Sequence, residues 1–281
     1  MVTEKIMEPS KSSRVGPFEE SNRSRPKVLI AEDSAINQKL ALAMLEKLGY
    51  VADVVGSGTE AVRALSNRGY GAVLMDCHMP EMNGYEAAAE IRKQEGASGR
   101  TPIIAMTGSV MRNDREKCLT AGMDDYIAKP VQLEELRLAL ERWVGNESRS
   151  LGAAASSGGR GSASGAAIDA GRLAELRTLD PPDGPTTLSV LASIFLGDMP
   201  PRLTSLRRAV LESNADSVED LAHYLKGAAA NIGATRMAAL CAELEDLARS
   251  GALTPAPHLL TRLDAEFAHA RQALEVQLAR S

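Results

Sequence analysis

The sequence has few cysteines, no surplus of basic residues and no long apolar run. Its three cysteines, Cys77, Cys118 and Cys241, stand far apart in 281 residues, so they indicate neither a disulfide framework nor a zinc site. The formal net charge of −5 disfavours binding to nucleic-acid phosphates. No stretch reaches the roughly 18 apolar residues of a membrane helix, and the polar N-terminus has no signal-peptide core. We therefore expect a cytoplasmic protein with no nucleic-acid partner and no membrane segment within this chain.

The composition changes along the chain and predicts two domains. Residues 1–26 are polar and charged, which is typical of a disordered tail. Residues 27–145 and 168–281 each have enough apolar residues for one core. Between them, residues 146–167 are rich in Gly, Ser and Ala, which predicts a flexible linker spanning on the order of 25 Å. Such a linker lets the two domains meet, so contact between them depends on orientation.

In residues 27–145, short apolar runs alternate with helical periodicity, which is typical of a parallel sheet covered by helices on both faces. We predict strands over 28–31, 52–55, 72–75, 103–106 and 125–127, and helices over 35–48, 58–67, 83–94, 110–121 and 133–144. This order predicts an α/β flavodoxin-like (βα)5 fold, which binds ligands at the carboxyl ends of its strands.

Polar residues follow four of these strands at the edge where ligands bind. The first predicted strand leads into Glu32 and Asp33, the third into Asp76, the fourth into Thr107 and the fifth into Lys129. Three carboxylates in one pocket repel each other unless a cation joins them, and Mg²⁺ is the cation that best suits oxygen ligands. The pattern predicts that Asp76 attacks a phosphoryl group while Thr107 and Lys129 bind its oxygens.

This arrangement resembles the receiver, or response-regulator, domain over about residues 27–145. Besides the five residues above, the Met79-Pro80-x-Met82-x-Gly84 turn and the Lys129-Pro130 step match. The resemblance implies that Asp76 is the phosphoacceptor and that Glu32, Asp33, Asp76 and the main-chain carbonyl of His78 hold Mg²⁺.

The resemblance also implies details around the site. The Lys129-Pro130 bond is expected to be cis, and Tyr126 matches the family's switch aromatic. Gly108 departs from the alanine that many members have after the threonine, so we expect an altered phosphoryl lifetime.

A second group of chemical interest lies within one helical turn. His223, Lys226 and Gly227 stand three and four residues apart and so share a helix face. The apolar stripe of that helix falls on the opposite side, which predicts that His223 is exposed. An imidazole is a nucleophile near neutral pH, a cation offsets incoming negative charge, and a glycine lets another protein approach. Nothing in this patch supplies an acid, a base or a metal for hydrolysis.

The string His223-x-Leu225-Lys226-Gly227, with Gly233 further on, resembles the signature of the histidine-phosphotransfer (HPt) domain. The resemblance implies that His223 carries the phosphoryl group. The periodicity after residue 168 predicts an all-α helical bundle, with helices over 169–178, 186–197, 200–212, 216–231, 234–249 and 257–279. On the helix after His223, Cys241 belongs to the core stripe. His258 and His269 have no lysine-glycine neighbour and are interpreted as structural or surface residues.

The two resemblances together predict a two-component phosphorelay protein. Asp76 would accept a phosphoryl group from an upstream sensor histidine kinase, and His223 would exchange phosphoryl groups with a receiver aspartate, including that of a downstream response regulator. No ATP-binding kinase core is present, so the chain is either the C-terminal part of a hybrid histidine kinase or a separate relay protein.

Two alternatives remain open. A pseudo-receiver that only binds proteins would have lost Asp76, Thr107 or Lys129, and all three are present. An aspartyl-phosphate phosphohydrolase would have a second aspartate two residues after the nucleophile, where this chain has His78.

Overall fold

The computed structural model describes residues 26–67, 69–96, 100–108, 112–144 and 167–279. The predicted tail, apart from Pro26, and the predicted linker, apart from Ala167, lie outside the described residues. Their flexibility and the domain boundaries that they define stay predictions.

The first region is a parallel five-stranded sheet in the order β2-β1-β3-β4-β5. Its strands are β1 (Val28–Ala31), β2 (Ala52–Val55), β3 (Ala72–Asp76), β4 (Ile103–Thr107) and β5 (Asp125–Ala128). The helices are α1 (Ala35–Lys47), α2 (Gly58–Asn67), α3 (Gly84–Glu95), α4 (Arg112–Thr120) and α5 (Leu133–Trp143). Every residue of β1, β3 and β4 is buried, as expected for central parallel strands covered on both faces. The predicted flavodoxin-like fold is confirmed.

The second region is all-helical, as predicted. Its helices are α6 (Ala170–Arg177), α7 (Thr187–Leu211), α8 (Ala215–Ile232), α9 (Thr235–Arg249) and α10 (Ala256–Leu278). The helix α8 starts at the cap Asn214, whose side chain accepts a hydrogen bond from the Ser217 N–H, and it ends at Gly233 with a positive φ of 86°. Glycine is suited to this left-handed position because it has no Cβ.

The predicted break between helices at residues 197–200 is wrong. The helix α7 runs through Pro200 and Pro201 without interruption. Proline normally weakens a helix by removing a hydrogen bond. Here the buried Phe195 and Met199 before the prolines and Leu203 after them lie in one core, so burial of a continuous apolar face outweighs the local preference.

The two regions pack against each other. Buried residues from one face of the sheet, from α1 and from the bundle belong to one hydrophobic cluster, and α1 contacts both α7 and α8. This packing brings α8 to the carboxyl ends of the strands. Within the described ranges, none of the helices combines the length and apolar character needed to cross a membrane.

Candidate functional site

Three carboxylates lie together at the carboxyl ends of β1 and β3. Oxygen atoms of Glu32, Asp33 and Asp76 lie within 4.8 Å of one another, and both Glu32 and Asp76 are buried. The Lys129 Nζ atom lies 2.6 Å from Asp76 Oδ2 and 2.8 Å from Glu32 Oε2. Glu32 also accepts a hydrogen bond of 2.8 Å from the Asn37 side-chain amide. The carboxylates and the ammonium that were predicted to converge from separate strands therefore do converge.

One cation does not neutralise this acidic cluster. Burial, followed by the charge of Asp76, raises the pKa of Glu32 to about 7. Burial and then the charge of Glu32 raise the pKa of Asp33 to about 6. Burial would lower the pKa of Lys129, but Asp76 and Glu32 outweigh it and raise that pKa above its usual value. The carboxylates therefore still repel each other after pairing with Lys129.

The donor set fits a hard divalent cation. The cluster offers only oxygen ligands, which Mg²⁺ prefers. Burial contributes most to the raised pKa values and the neighbouring carboxylate contributes next, and a bound cation would favour the ionised forms against both effects. The Mg²⁺ ligands predicted from the sequence are thus able to act together. The part assigned to the His78 carbonyl stays a prediction.

The remaining predicted residues of the receiver come from β4 and β5. Thr107 ends β4 and is buried, and its carbonyl accepts a 2.7 Å hydrogen bond from the Lys129 N–H. The Lys129-Pro130 peptide bond is cis, which confirms that prediction. Tyr126 lies half-buried on β5, and its role as a switch stays a prediction.

The turn after Asp76 depends on a glycine at its end. A Cβ on Gly84 would lie 2.1 Å from the carbonyl oxygen of Asp76. The start of α3 therefore lies directly against the backbone of Asp76. Asn83 caps this helix in a capping box with Glu86.

The structure contradicts the exposure predicted for His223. The apolar side of α8 is buried as predicted, with Val218, Leu225 and Ala228 in the core. The His223 side chain, however, is only 13% exposed. It faces away from the bundle core as expected, but the first region covers it. Helical periodicity describes one helix and cannot show a neighbour that is distant in sequence.

Glu245 on α9 is a site residue that the sequence analysis missed. Its Oε1 atom lies 3.0 Å from His223 Nδ1 and 2.8 Å from an Arg249 guanidinium nitrogen, and its other oxygen pairs with the ammonium of Lys226. Burial alone would raise the pKa of Glu245, but hydrogen bonds from His223 and Lys226 outweigh burial and lower it to about 2. A signal was present, because Glu245 follows Cys241 by four residues and so lies next to the core stripe of α9.

The Glu245 contact sets the chemistry of the imidazole. A carboxylate at Nδ1 favours the tautomer that carries its proton there, which leaves Nε2 with a free electron pair. Lys226, predicted to offset the charge of a phosphoryl group, lies beside the same ring. Its own charge is shared with Glu245.

His223 lies directly over the acidic cluster. Its ring centroid is 4.3 Å from that of His78, two residues after Asp76. A cavity of about 200 Å³ between the two regions is lined by both Asp76 and His223. Desolvation at the junction and then the nearby His223 lower the pKa of His78 to about 4.

Small residues and one amide pair shape this junction. A Cβ on Gly108 would lie 3.4 Å from both His223 Cε1 and Lys226 Nζ, and one on Gly227 would lie 3.5 Å from the side-chain nitrogen of Asn37. Asn231 donates a 2.7 Å hydrogen bond from its side chain to the side-chain oxygen of Asn37. Gly108, which departs from the usual alanine, therefore lies in contact with His223 at the junction.

Comparison with protein families separates the same two regions. The response regulator receiver domain matches residues 28–141, and the Hpt domain matches residues 190–273. The chain is a receiver–HPt module. Among curated proteins, the module is 28% identical over 270 residues to the sensor histidine kinase GacS of Pseudomonas protegens. The aligned residues cover 90% of this chain and 28% of that protein. It is 35% identical over 164 residues to probable histidine kinase 1 of Oryza sativa, covering 48% of this chain and 16% of that one.

Two solved structures are similar to part of the module. One is the receiver domain of a sensor histidine kinase of Pseudomonas aeruginosa, crystallised with a magnesium ion in its active-site cleft. It is 46% identical to this chain, with a TM-score of 0.41, and the match covers 44% of this chain and all of that one. A chain in the co-crystal structure of the Saccharomyces cerevisiae phosphotransfer protein Ypd1 with the Ssk1 receiver domain is 32% identical, with 43% and 90% covered and a TM-score of 0.41.

The module has the domain composition of two-component phosphorelay signalling proteins. It spans only 16% and 4% of the length of the first two curated relatives. The activities of those whole proteins therefore do not pass to this chain directly.

Proposed function

We propose that Asp76 accepts a phosphoryl group and that His223 of the same chain then takes it from Asp76. The observation that supports this order is the position of His223 over Asp76. A nitrogen of His223 and a carboxylate oxygen of Asp76 lie within 4.8 Å of each other. A phosphorus atom bonded to that oxygen would lie near the range of about 3–3.5 Å from which attack occurs.

The surrounding side chains have distinct parts in this transfer. Glu245 holds the proton of His223 at Nδ1, so Nε2 attacks phosphorus while the bond to the Asp76 oxygen breaks. Lys129 and Thr107 bind the phosphoryl oxygens from the receiver side, and Lys226 approaches from the HPt side. Glu32, Asp33 and Asp76 would hold Mg²⁺, which supplies positive charge to the phosphoryl oxygens.

Transfer onward requires the junction to open. His223 is covered by its own receiver, so the receiver domain of a downstream regulator reaches it only after the two regions separate. The upstream donor, a phosphohistidine of a sensor kinase, needs the same surface around Asp76. We infer that the module alternates between this closed arrangement and open ones. We place it in the cytoplasm, where its three buried cysteine thiols stay reduced.

The order of transfer is tested by labelling the chain from radioactive acetyl phosphate with Mg²⁺. Phosphohistidine survives alkali and aspartyl phosphate does not, so alkali-stable label reports His223. We expect this label in the wild-type chain and none in Asp76→Asn or His223→Gln. Alkali-stable label in Asp76→Asn would contradict the proposal.

A mixing experiment tests transfer within one chain. For the wild-type chain the transfer rate should not change with protein concentration, whereas a mixture of Asp76→Asn and His223→Gln chains should transfer at a rate proportional to concentration. Asn37→Ala should slow transfer within one chain by weakening the junction. Asn67→Ala on α2 is the matched control. A wild-type rate that rises in proportion to concentration would show transfer between chains.

A further inference from the structure

Two imidazoles meet next to Asp76 at the junction. The rings of His78 and His223 are 4.3 Å apart between centroids and tilted by 37°. One nitrogen of each ring and one carboxylate oxygen of Asp76 lie within 4.8 Å of one another. Neither region alone contains this group, because His78 and Asp76 come from β3 and its following turn whereas His223 comes from α8.

This group has a different ligand chemistry from the acidic cluster beside it. Glu32, Asp33 and Asp76 offer only oxygen, but the group at the junction offers two imidazole nitrogens and one oxygen. Imidazole suits Zn²⁺ and similar transition ions, whereas Mg²⁺ prefers oxygen. Three protein ligands with a fourth position open to water are common for Zn²⁺. The cysteine spacing gave no indication of zinc, and none of these ligands is a cysteine.

The surroundings of His223 favour metal binding. Imidazoles that bind metals usually donate their other N–H to a carboxylate, which fixes the ring and raises its basicity. Glu245 occupies that position at Nδ1, and it is itself held by Arg249 and Lys226. His223 therefore has a supported ring, and its Nε2 atom remains available to bind a metal.

We propose that Asp76, His78 and His223 form a binding site for Zn²⁺ or a similar transition ion across the receiver–HPt junction. The ion would bind both residues that carry the phosphoryl group in the proposed relay, Asp76 and His223, and would hold the two regions together. It would therefore keep the module in its closed arrangement and prevent phosphoryl transfer. Because Asp76 belongs to both ligand groups, Mg²⁺ and Zn²⁺ would compete.

Metal binding is tested on the full chain without a phosphoryl donor. Co²⁺ serves as the probe because its visible absorption reports imidazole coordination, and Zn²⁺ is then used to displace it. The chain has four histidines, so His258→Gln and His269→Gln are matched controls on α10. We expect one Co²⁺ site per chain whose dissociation constant rises at least about tenfold in His78→Gln and in His223→Gln, with no change in the controls. Equal binding in all four variants, or loss in the controls, would overturn the proposal.

A second measurement tests the effect of the ion on the relay. For each chain the rate of alkali-stable labelling is compared with and without Zn²⁺ at constant Mg²⁺. We expect Zn²⁺ to lower the labelling rate at least tenfold in the wild-type chain and much less in His78→Gln. An equal effect of Zn²⁺ on the labelling rate of both chains would contradict the proposed inhibition by the junction metal. Because the Co²⁺ measurement involves no phosphoryl group, a failure of the relay order would leave its result unaffected.

Discussion

Glu245→Gln tests how far the HPt site depends on one buried carboxylate. The change keeps the shape of the side chain but removes the charge that His223, Lys226 and Arg249 share. The pKa of Glu245 is about 2 instead of 4.5, which corresponds to about 3 kcal/mol of favourable pairing. Arg249 is half exposed, so solvent screening lowers the expected loss in the free energy of unfolding to about 1–2 kcal/mol.

The pH dependence identifies this carboxylate. Because the pKa of Glu245 is lowered in the folded chain, its stabilisation is fully present above about pH 4.5 and is lost as the pH falls towards 2. The difference in unfolding free energy between the wild-type chain and Glu245→Gln should shrink over that window. Urea denaturation followed by circular dichroism measures it. Glu243→Gln, on the same helix with a side chain that is 53% exposed, should show no such difference.

The same variant should also slow phosphoryl transfer. Without the carboxylate at Nδ1, the proton of His223 is no longer held away from Nε2, and we expect alkali-stable labelling to become slower. Labelling of Asp76 by acetyl phosphate should stay unchanged. A wild-type rate of transfer, together with a stability difference that stays constant down to pH 2, would refute the role assigned to Glu245.

Three further predictions concern the receiver and the junction. Gly108→Leu should block transfer to His223 and leave the labelling of Asp76 intact, because even a Cβ at this position would lie 3.4 Å from the ring. Gly108→Ala should slow transfer only slightly. Equal transfer rates in the two variants would contradict this prediction. Gly84→Ala should lower the free energy of unfolding by at least about 2 kcal/mol, because its Cβ would lie 2.1 Å from a backbone oxygen, and Gly69→Ala, with open space around it, is the control for the same denaturation experiment. Relative to Glu32→Gln, the metal-free wild-type chain should lose stability as the pH rises from about 4.5 to about 7, because the Glu32 carboxyl holds its proton more tightly in the folded chain than in the unfolded chain. Saturating Mg²⁺ should reduce that loss. A difference in unfolding free energy between the two chains that does not change with pH would contradict the raised pKa.

The receiver half was predictable because its information is local. Each strand is a short apolar run followed at once by the residue that does chemistry, and parallel strands bring their carboxyl ends to one edge. The positions of Glu32, Asp76 and Lys129 therefore follow once the strands are identified. In the bundle, the break expected between residues 197 and 200 was wrong, because the burial of a continuous apolar face outweighs local helix propensity.

The sequence by itself determined the two folds, the acidic pocket and the histidine turn, since these depend on periodicity and on residues close together in the chain. Only the tertiary structure decided that Glu245 holds His223 and that the receiver covers it. It also decided that His78 lies against the ring of His223. Each of these contacts joins residues from different helices or from different domains. They depend on how packed surfaces fit together, and no spacing along one element records that.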